Sequence, residues 1–117
     1  MIGFIPFEKE NAFGIKAFEN ETELGFCLFT IDGYNMFIKE ISCDDDIIIE
    51  GLARAAMNFA ANKNAYICNA DKKLFCSALD RLGFEGNDIL SVEIPEALMC
   101  GCSCHNSKPF NNIGDVQ

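Results

Sequence analysis

The chain has no tryptophan, a single histidine, and only nine lysines and arginines against eighteen acids. That shortage of cations leaves a net charge of −9. It excludes a nucleic-acid interface, because phosphate contacts need clustered Lys and Arg. An anionic membrane surface would repel such a chain as well. The ordinary consequence of this acidity is solubility; attraction to a cationic small molecule such as a polyamine is the sharper alternative. No apolar run approaches the roughly 20 residues that span a bilayer. The opening MIGFIPFEKEN has neither the basic segment nor the long apolar stretch of a signal peptide. A cytoplasmic location is therefore expected.

Apolar residues are plentiful. Half of the 117 residues are hydrophobic and 23% are charged, which suits one globular core rather than disorder. Eleven phenylalanines make that core aromatic. The seven cysteines are an odd number, and without an export signal a disulfide framework is not expected. Cys27, Cys68 and Cys76 fall inside periodic apolar segments and read as small buried hydrophobes. Cys43 ends a strand-like run.

Residues 2–5 (IGFI) predict a short strand stopped by Pro6. Residues 12–18 (AFGIKAF) alternate as a strand does. After the polar turn ENETE, residues 23–31 (ELGFCLFTI) are apolar on both faces, as in a central covered strand. Asp32 and Gly33 form a favoured hairpin turn, and residues 34–42 (YNMFIKEIS) return. The pattern then changes. Asp44, Asp45 and Asp46 supply an N-cap and first-turn acids. Ile48, Leu52, Ala55, Ala56, Phe59 and Ala60 follow helical spacing behind them, predicting a helix over 47–62. A short buried strand over 65–69 follows. A second helix over 71–82 turns Leu74, Phe75, Ala78, Leu79 and Leu82 inward, with Gly83 as its C′ residue. A last strand over 89–94 ends at Pro95. The strand–helix–strand step after residue 34 implies a right-handed parallel crossover. The fold class is thus α/β (α+β): an antiparallel meander, then α-β-α-β, in a single domain over 1–99. Residues 100–117 form a Cys-rich, then polar, C-terminal tail.

This order, with the stretches GLARAAMNFAANKNAYICNA and LFCSALDRLGFEGND, resembles the GNAT (GCN5-related N-acetyltransferase) superfamily over residues 12–95. The resemblance implies a GNAT-like mixed sheet, acetyl-CoA as acyl donor, and a helix whose N-terminus receives the donor's diphosphate. It also implies that the family's N-terminal strand and helix pair is reduced here, which leaves one sheet face open. The stretch matching the diphosphate loop is residues 43–51, with Ile49, Glu50 and Gly51 as candidate cofactor contacts. Gly51 is its only glycine, and it has no Lys or Arg. Three successive carboxylates there would repel a diphosphate, each by about 1 kcal/mol or more; read plainly, they cap the helix. Where the family tends to carry a general-acid tyrosine, this chain has Leu79. Tyr66 is the alternative acid, or a core residue with a satisfied hydroxyl. Glu40 is a candidate general base, or a solvated strand carboxylate. Asn69, at the end of the strand over 65–69, either contacts a ligand or starts the next turn or caps the helix from 71.

The tail concentrates chemistry in another form. Cys100, Cys102, Cys104 and His105 could supply four ligands to Zn²⁺, although four ligands within six residues strain a loop. Thiolates there also suit Cu(I) or redox pairing, and a tail without metal is the plain alternative. Three functions follow. The first is acetyl-CoA-dependent N-acetylation of a small amine. The second is a non-catalytic GNAT-fold module that binds a small-molecule ligand or another protein, or forms a homodimer. The third is a metal-binding accessory protein working through the tail. Fold alone does not choose among them.

Overall fold

The computed structural model describes residues 2–100. The chain forms β1 (Ile2–Lys9), β2 (Ala12–Glu19), β3 (Thr22–Asp32), β4 (Asn35–Ser42), α1 (Asp46–Ala61), β5 (Ile67–Asp71), α2 (Ser77–Arg81), β6 (Glu85–Gly86), β7 (Ile89–Glu93) and α3 (Ile94–Cys100). The strands make one sheet in the order β1-β2-β3-β4-β5-β7-β6. The first four form the expected antiparallel meander. β4 and β5 are parallel, and the last three strands are antiparallel.

Local chemistry explains the turns. Asn11 and Asn20 take φ of 58° and 60° in the two tight hairpins, the left-handed region that asparagine tolerates. In the third hairpin Asp32 pairs with Asn35. The turn is therefore Gly33–Tyr34, one residue later than the sequence suggests, with Gly33 at φ 63°. β1 runs through Pro6, against expectation. It is an edge strand, where a missing N–H is tolerated.

α1 packs on the sheet through Ile48, Ile49, Leu52, Ala53, Ala56, Met57 and Ala60. Ala55 and Phe59 lie partly buried beside them. Phe59 closes an aromatic cluster with Phe13 and Phe29, with ring centroids 5.3 and 5.8 Å away. The expected helix over 71–82 is broken. Asp71 caps a 3-10 turn, Lys72–Leu74, through the Lys73 N–H at 3.0 Å. Phe75 and Cys76 are then extended, and α2 is only five residues long. That break brings Ala78, Leu79 and Leu82 into the core. Gly83, at φ 98°, ends α2 as expected. The Phe84 N–H donates to the Leu79 carbonyl and the Gly83 N–H to Asp80, the paired bonds of a Schellman cap.

Pro95 does not end the structure. It sits in the first turn of α3, where its absent N–H costs nothing. Ile94 and Ala97 anchor α3 in the core, and the Arg54 guanidinium of α1 donates to the Leu98 carbonyl at 3.1 Å. α1 contacts both α2 and α3. All three described helices therefore share one face of the sheet. The opposite face carries Phe7, Phe26, Leu28, Phe37 and Ile67, all partly exposed.

Candidate functional site

The sheet opens where β4 and β5 part. Their register runs Asn35↔Ile67, Met36↔Cys68, Phe37↔Asn69 and Ile38↔Ala70, and goes no further. On its other side β4 pairs Ile38 with Phe29 but Glu40 with Leu28, so Lys39 is an extra residue. Such a bulge bends its strand and increases local twist. The bulge and the last β4–β5 pair coincide. Beyond them residues 39–42 keep only β3 as a partner, and their other edge faces a gap. β5 ends at Asp71 on the far side, and the chain leaving β4 enters α1 at the same end.

Gly25 holds that entry. A Cβ there would lie 2.4 Å from the Ser42 carbonyl oxygen and 2.7 Å from Cys43 Cβ. Only glycine lets the loop lie this close to β3. α1 then opens on Asp45, whose Oδ1 accepts from the Ile47 N–H at 2.9 Å. A helix leaves its first four N–H groups without helical partners. In α1 the chain's own carboxylate takes one of them, and Asp44 and Asp46 flank it. The acid run therefore caps the helix.

The candidate donor contacts lie elsewhere. Ile49 is buried, and its N–H already donates to the Asp45 carbonyl. Glu50 bridges helices, with its carboxylate 3.5 Å from Arg54 and 3.1 Å from Arg81. Gly51 seats the Phe4 ring of β1, which would come within 2.4 Å of any Cβ there. All three lie inside α1, which opens at Asp46, within the helix expected over 47–62. Helical hydrogen bonding and packing hold them. Asn69 is not at a strand end and starts no turn. It is buried in mid-β5, donates to Asn35 Oδ1 at 3.2 Å and the Met36 carbonyl at 3.1 Å, and accepts from Ser91 Oγ at 2.7 Å. It ties β4, β5 and β7 together. Sequence spacing could not show these roles, because Arg81, the Phe4 ring and Ser91 lie 31, 47 and 22 positions from Glu50, Gly51 and Asn69.

The two catalytic candidates are not brought together. Glu40 is exposed on β4, just past the bulge and beside the gap. Tyr66 precedes β5 at its other end, about 17 Å away along the strands at 3.3 Å per residue. There Tyr66 is 47% exposed, and its hydroxyl donates to Glu93 at 3.3 Å. The Glu93 charge, then that hydrogen bond, raise its pKa above the usual phenol value. A cleft of about 740 Å³ runs along Tyr34, Asn64, Ala65, Tyr66 and Ile67. Leu79 is wholly buried and has no proton to give.

The buried cysteines are inert. Burial pushes the Cys27 thiol up to about 12 and raises Cys68 further, so neither forms a thiolate near neutral pH. Cys76 is only partly buried. Among the described residues no cluster of three or more His, Cys, Asp or Glu could hold a metal ion. Cys102, Cys104 and His105 lie outside the described residues, and Cys100 ends α3. None of the described helices is long and apolar enough to cross a membrane.

The sequence matches no protein-family model and no curated protein. The fold has solved counterparts. A putative acetyltransferase of the GNAT family from Desulfovibrio desulfuricans superposes with TM-score 0.62 at 11% identity, over 72% of this chain and 70% of that one. A probable acetyltransferase from Staphylococcus epidermidis gives TM-score 0.61 at 14% identity, over 71% and 68%. A GNAT family N-acetyltransferase from Escherichia coli, in complex with CoA, gives 0.56 at 13% identity, over 74% of this chain and 61% of that one. The mixed sheet and its helices thus have the GNAT fold.

Proposed function

We propose that this chain takes an acyl thioester, with acetyl-CoA as the reference donor, into the gap between β4 and β5 and passes the acyl group to a small amine. The parting of the two parallel strands at Lys39 carries the reading. It leaves the free backbone edge of residues 39–42 as a ready partner for an extended, amide-containing arm. One structural neighbour is a GNAT N-acetyltransferase in complex with CoA. In this reading Glu40, at the mouth of the gap, accepts the amine proton as the nitrogen attacks the thioester carbonyl; the carbon–sulfur bond then breaks, and the thiolate leaves to solvent, which protonates it. Tyr66, at the other end of β5, takes no part.

The unpaired edge of residues 39–42 offers backbone partners to the acylated arm of the donor, while the helix end opposes its diphosphate. Asp45 already occupies the first-turn N–H of Ile47, and Asp44 and Asp46 add repulsion. This favours a second reading, in which the chain holds a thioester or a partner without transfer. An assay with acetyl-CoA and a panel of small amines, read by mass spectrometry, separates the two. Transfer predicts an N-acetylated product that falls at least tenfold in Glu40→Gln. Asp44→Asn/Asp46→Asn should tighten the donor by about tenfold or more, from about 1 kcal/mol of repulsion removed at each residue. Donor binding with no product for any amine would leave the second reading.

A further inference from the structure

The acid-capped start of α1 gives the donor's phosphates no partner on the β4 side of the gap. Resting on the acyl-thioester reading of that gap, we infer that the β5 side supplies one. Lys72, Lys73 and Phe75 form the seat of the phosphorylated ADP end of acetyl-CoA.

Register gives the place. β4 and β5 run parallel and last pair at Ile38 and Ala70. Continued, that register would set Lys72 about level with Glu40. The residues after β5 are therefore the wall of the gap that faces residues 39–42. Backbone bonds fix this wall. The Lys72 N–H donates to the Asp88 carbonyl at 3.0 Å, and the Lys73 N–H to Asp71 Oδ1 at 3.0 Å. The Phe75 N–H closes the turn on the Lys72 carbonyl at 3.0 Å. Leu74 and Cys76, on either side of Phe75, pack against the core.

Charge singles out the same wall. Lys72 and Lys73 are the one pair of adjacent cations in the chain. Both are exposed. Other cations are engaged: Lys16, Arg54 and Arg81 stand 3.1 to 3.7 Å from carboxylates, and Lys39 and Lys63 lie over phenylalanine rings. Among the described residues Lys72 and Lys73 have no such partner. Lys9 is the remaining one, on the edge strand β1 beyond β2 and β3. A chain of net charge −9 thus places its two adjacent lysines across the gap from its run of three aspartates. An ammonium group is a strong point-charge partner for phosphate.

Phe75 completes the seat. Its spacing predicts a ring turned inward on a helix, yet the helix is broken there and the ring is 49% exposed between two half-buried neighbours. An aromatic face held open beside two lysines suits a purine, because bases stack on such faces while cations hold the adjoining phosphates.

Calorimetric titration of the full chain with two donors tests this. S-acetylpantetheine keeps the acylated arm and lacks the nucleotide, so it reports the gap alone. Lys72→Ala/Lys73→Ala should weaken acetyl-CoA by about tenfold or more and leave S-acetylpantetheine within about twofold. Lys9→Ala/Lys16→Ala makes the same change in net charge away from the gap and should leave both donors unchanged. Phe75→Ala should weaken acetyl-CoA by about fivefold, and Phe75→Tyr, which keeps an aromatic face, should hold the original affinity. Each variant should retain the circular dichroism spectrum of the unaltered chain. Acetyl-CoA affinity indifferent to Lys72 and Lys73, or lowered as much by the Lys9 and Lys16 changes, would overturn the inference while the gap still takes the arm. Binding of neither donor to the unaltered chain would overturn the gap reading and the inference with it.

Discussion

The β4–β5 pair is two regions with opposite physics. From Asn35 to Ile38 the strands are zipped, and the Asn69 amide adds side-chain bonds across three strands. From Lys39 onward they part, and the chain invests in a bulge, a glycine and an aspartate cap instead. The closed half fixes where the open half begins. A gap of defined shape needs a rigid base, and a buried polar tie gives one because it tolerates a single geometry.

Breaking the closed half should have the largest effect. Asn69→Leu removes three hydrogen bonds and leaves the Ser91 hydroxyl without its partner. We expect a loss of about 3 kcal/mol, or roughly 10 °C or more in melting temperature, measured by urea and thermal unfolding. A loss below 0.5 kcal/mol would show that the strands hold without the tie.

Disturbing the open half comes next. Gly25→Ala puts a Cβ against the Ser42 carbonyl, a backbone atom that cannot rotate away. We expect about 2 kcal/mol of destabilisation, with hydrogen exchange quickened at residues 42–48 rather than at Cys68 or Asn69. Uniform quickening would mean that the two halves are one unit.

The smallest effect compares the thiols of the two halves. Cys27 opposes Ile41 in the open half, and Cys68 opposes Met36 in the closed half. Burial raises both pKa values, Cys27 to about 12. The folded state therefore keeps these thiols protonated where the unfolded chain ionises. Their contribution is complete below the unfolded thiol range and is lost as pH rises toward the folded value. Stability should fall by about 1 kcal/mol per thiol per pH unit above roughly pH 9. In Cys27→Ala the fall should be shallower, whatever the stability at neutral pH. An unchanged slope would mean that water already reaches Cys27 through the gap.

Much of this architecture was legible in the chain. Alternation marked β2, a two-faced apolar run marked β3 and a hairpin turn marked β4, helical spacing marked α1, and Gly83 marked the end of α2. The local signals failed where distant residues decide. The 3-10 turn and the break at Phe75 serve the docking of Leu79 and Leu82. Pro6 is harmless because β1 is an edge, which is not a local fact. At the site, the Asp45 cap was legible, since cap and N–H are two residues apart. The roles of Glu50, Gly51 and Asn69 were not. Each depends on a group from another element: Arg81, the Phe4 ring, and Ser91.

The central claim is that the open half of the pair admits an acyl thioester. A thermal-shift titration with acetyl-CoA tests it most directly. The account predicts a dose-dependent rise in melting temperature, reached at lower concentration by Asp44→Asn/Asp46→Asn, because a ligand of the native state stabilises it by mass action. No shift at millimolar acetyl-CoA in either protein would contradict the account.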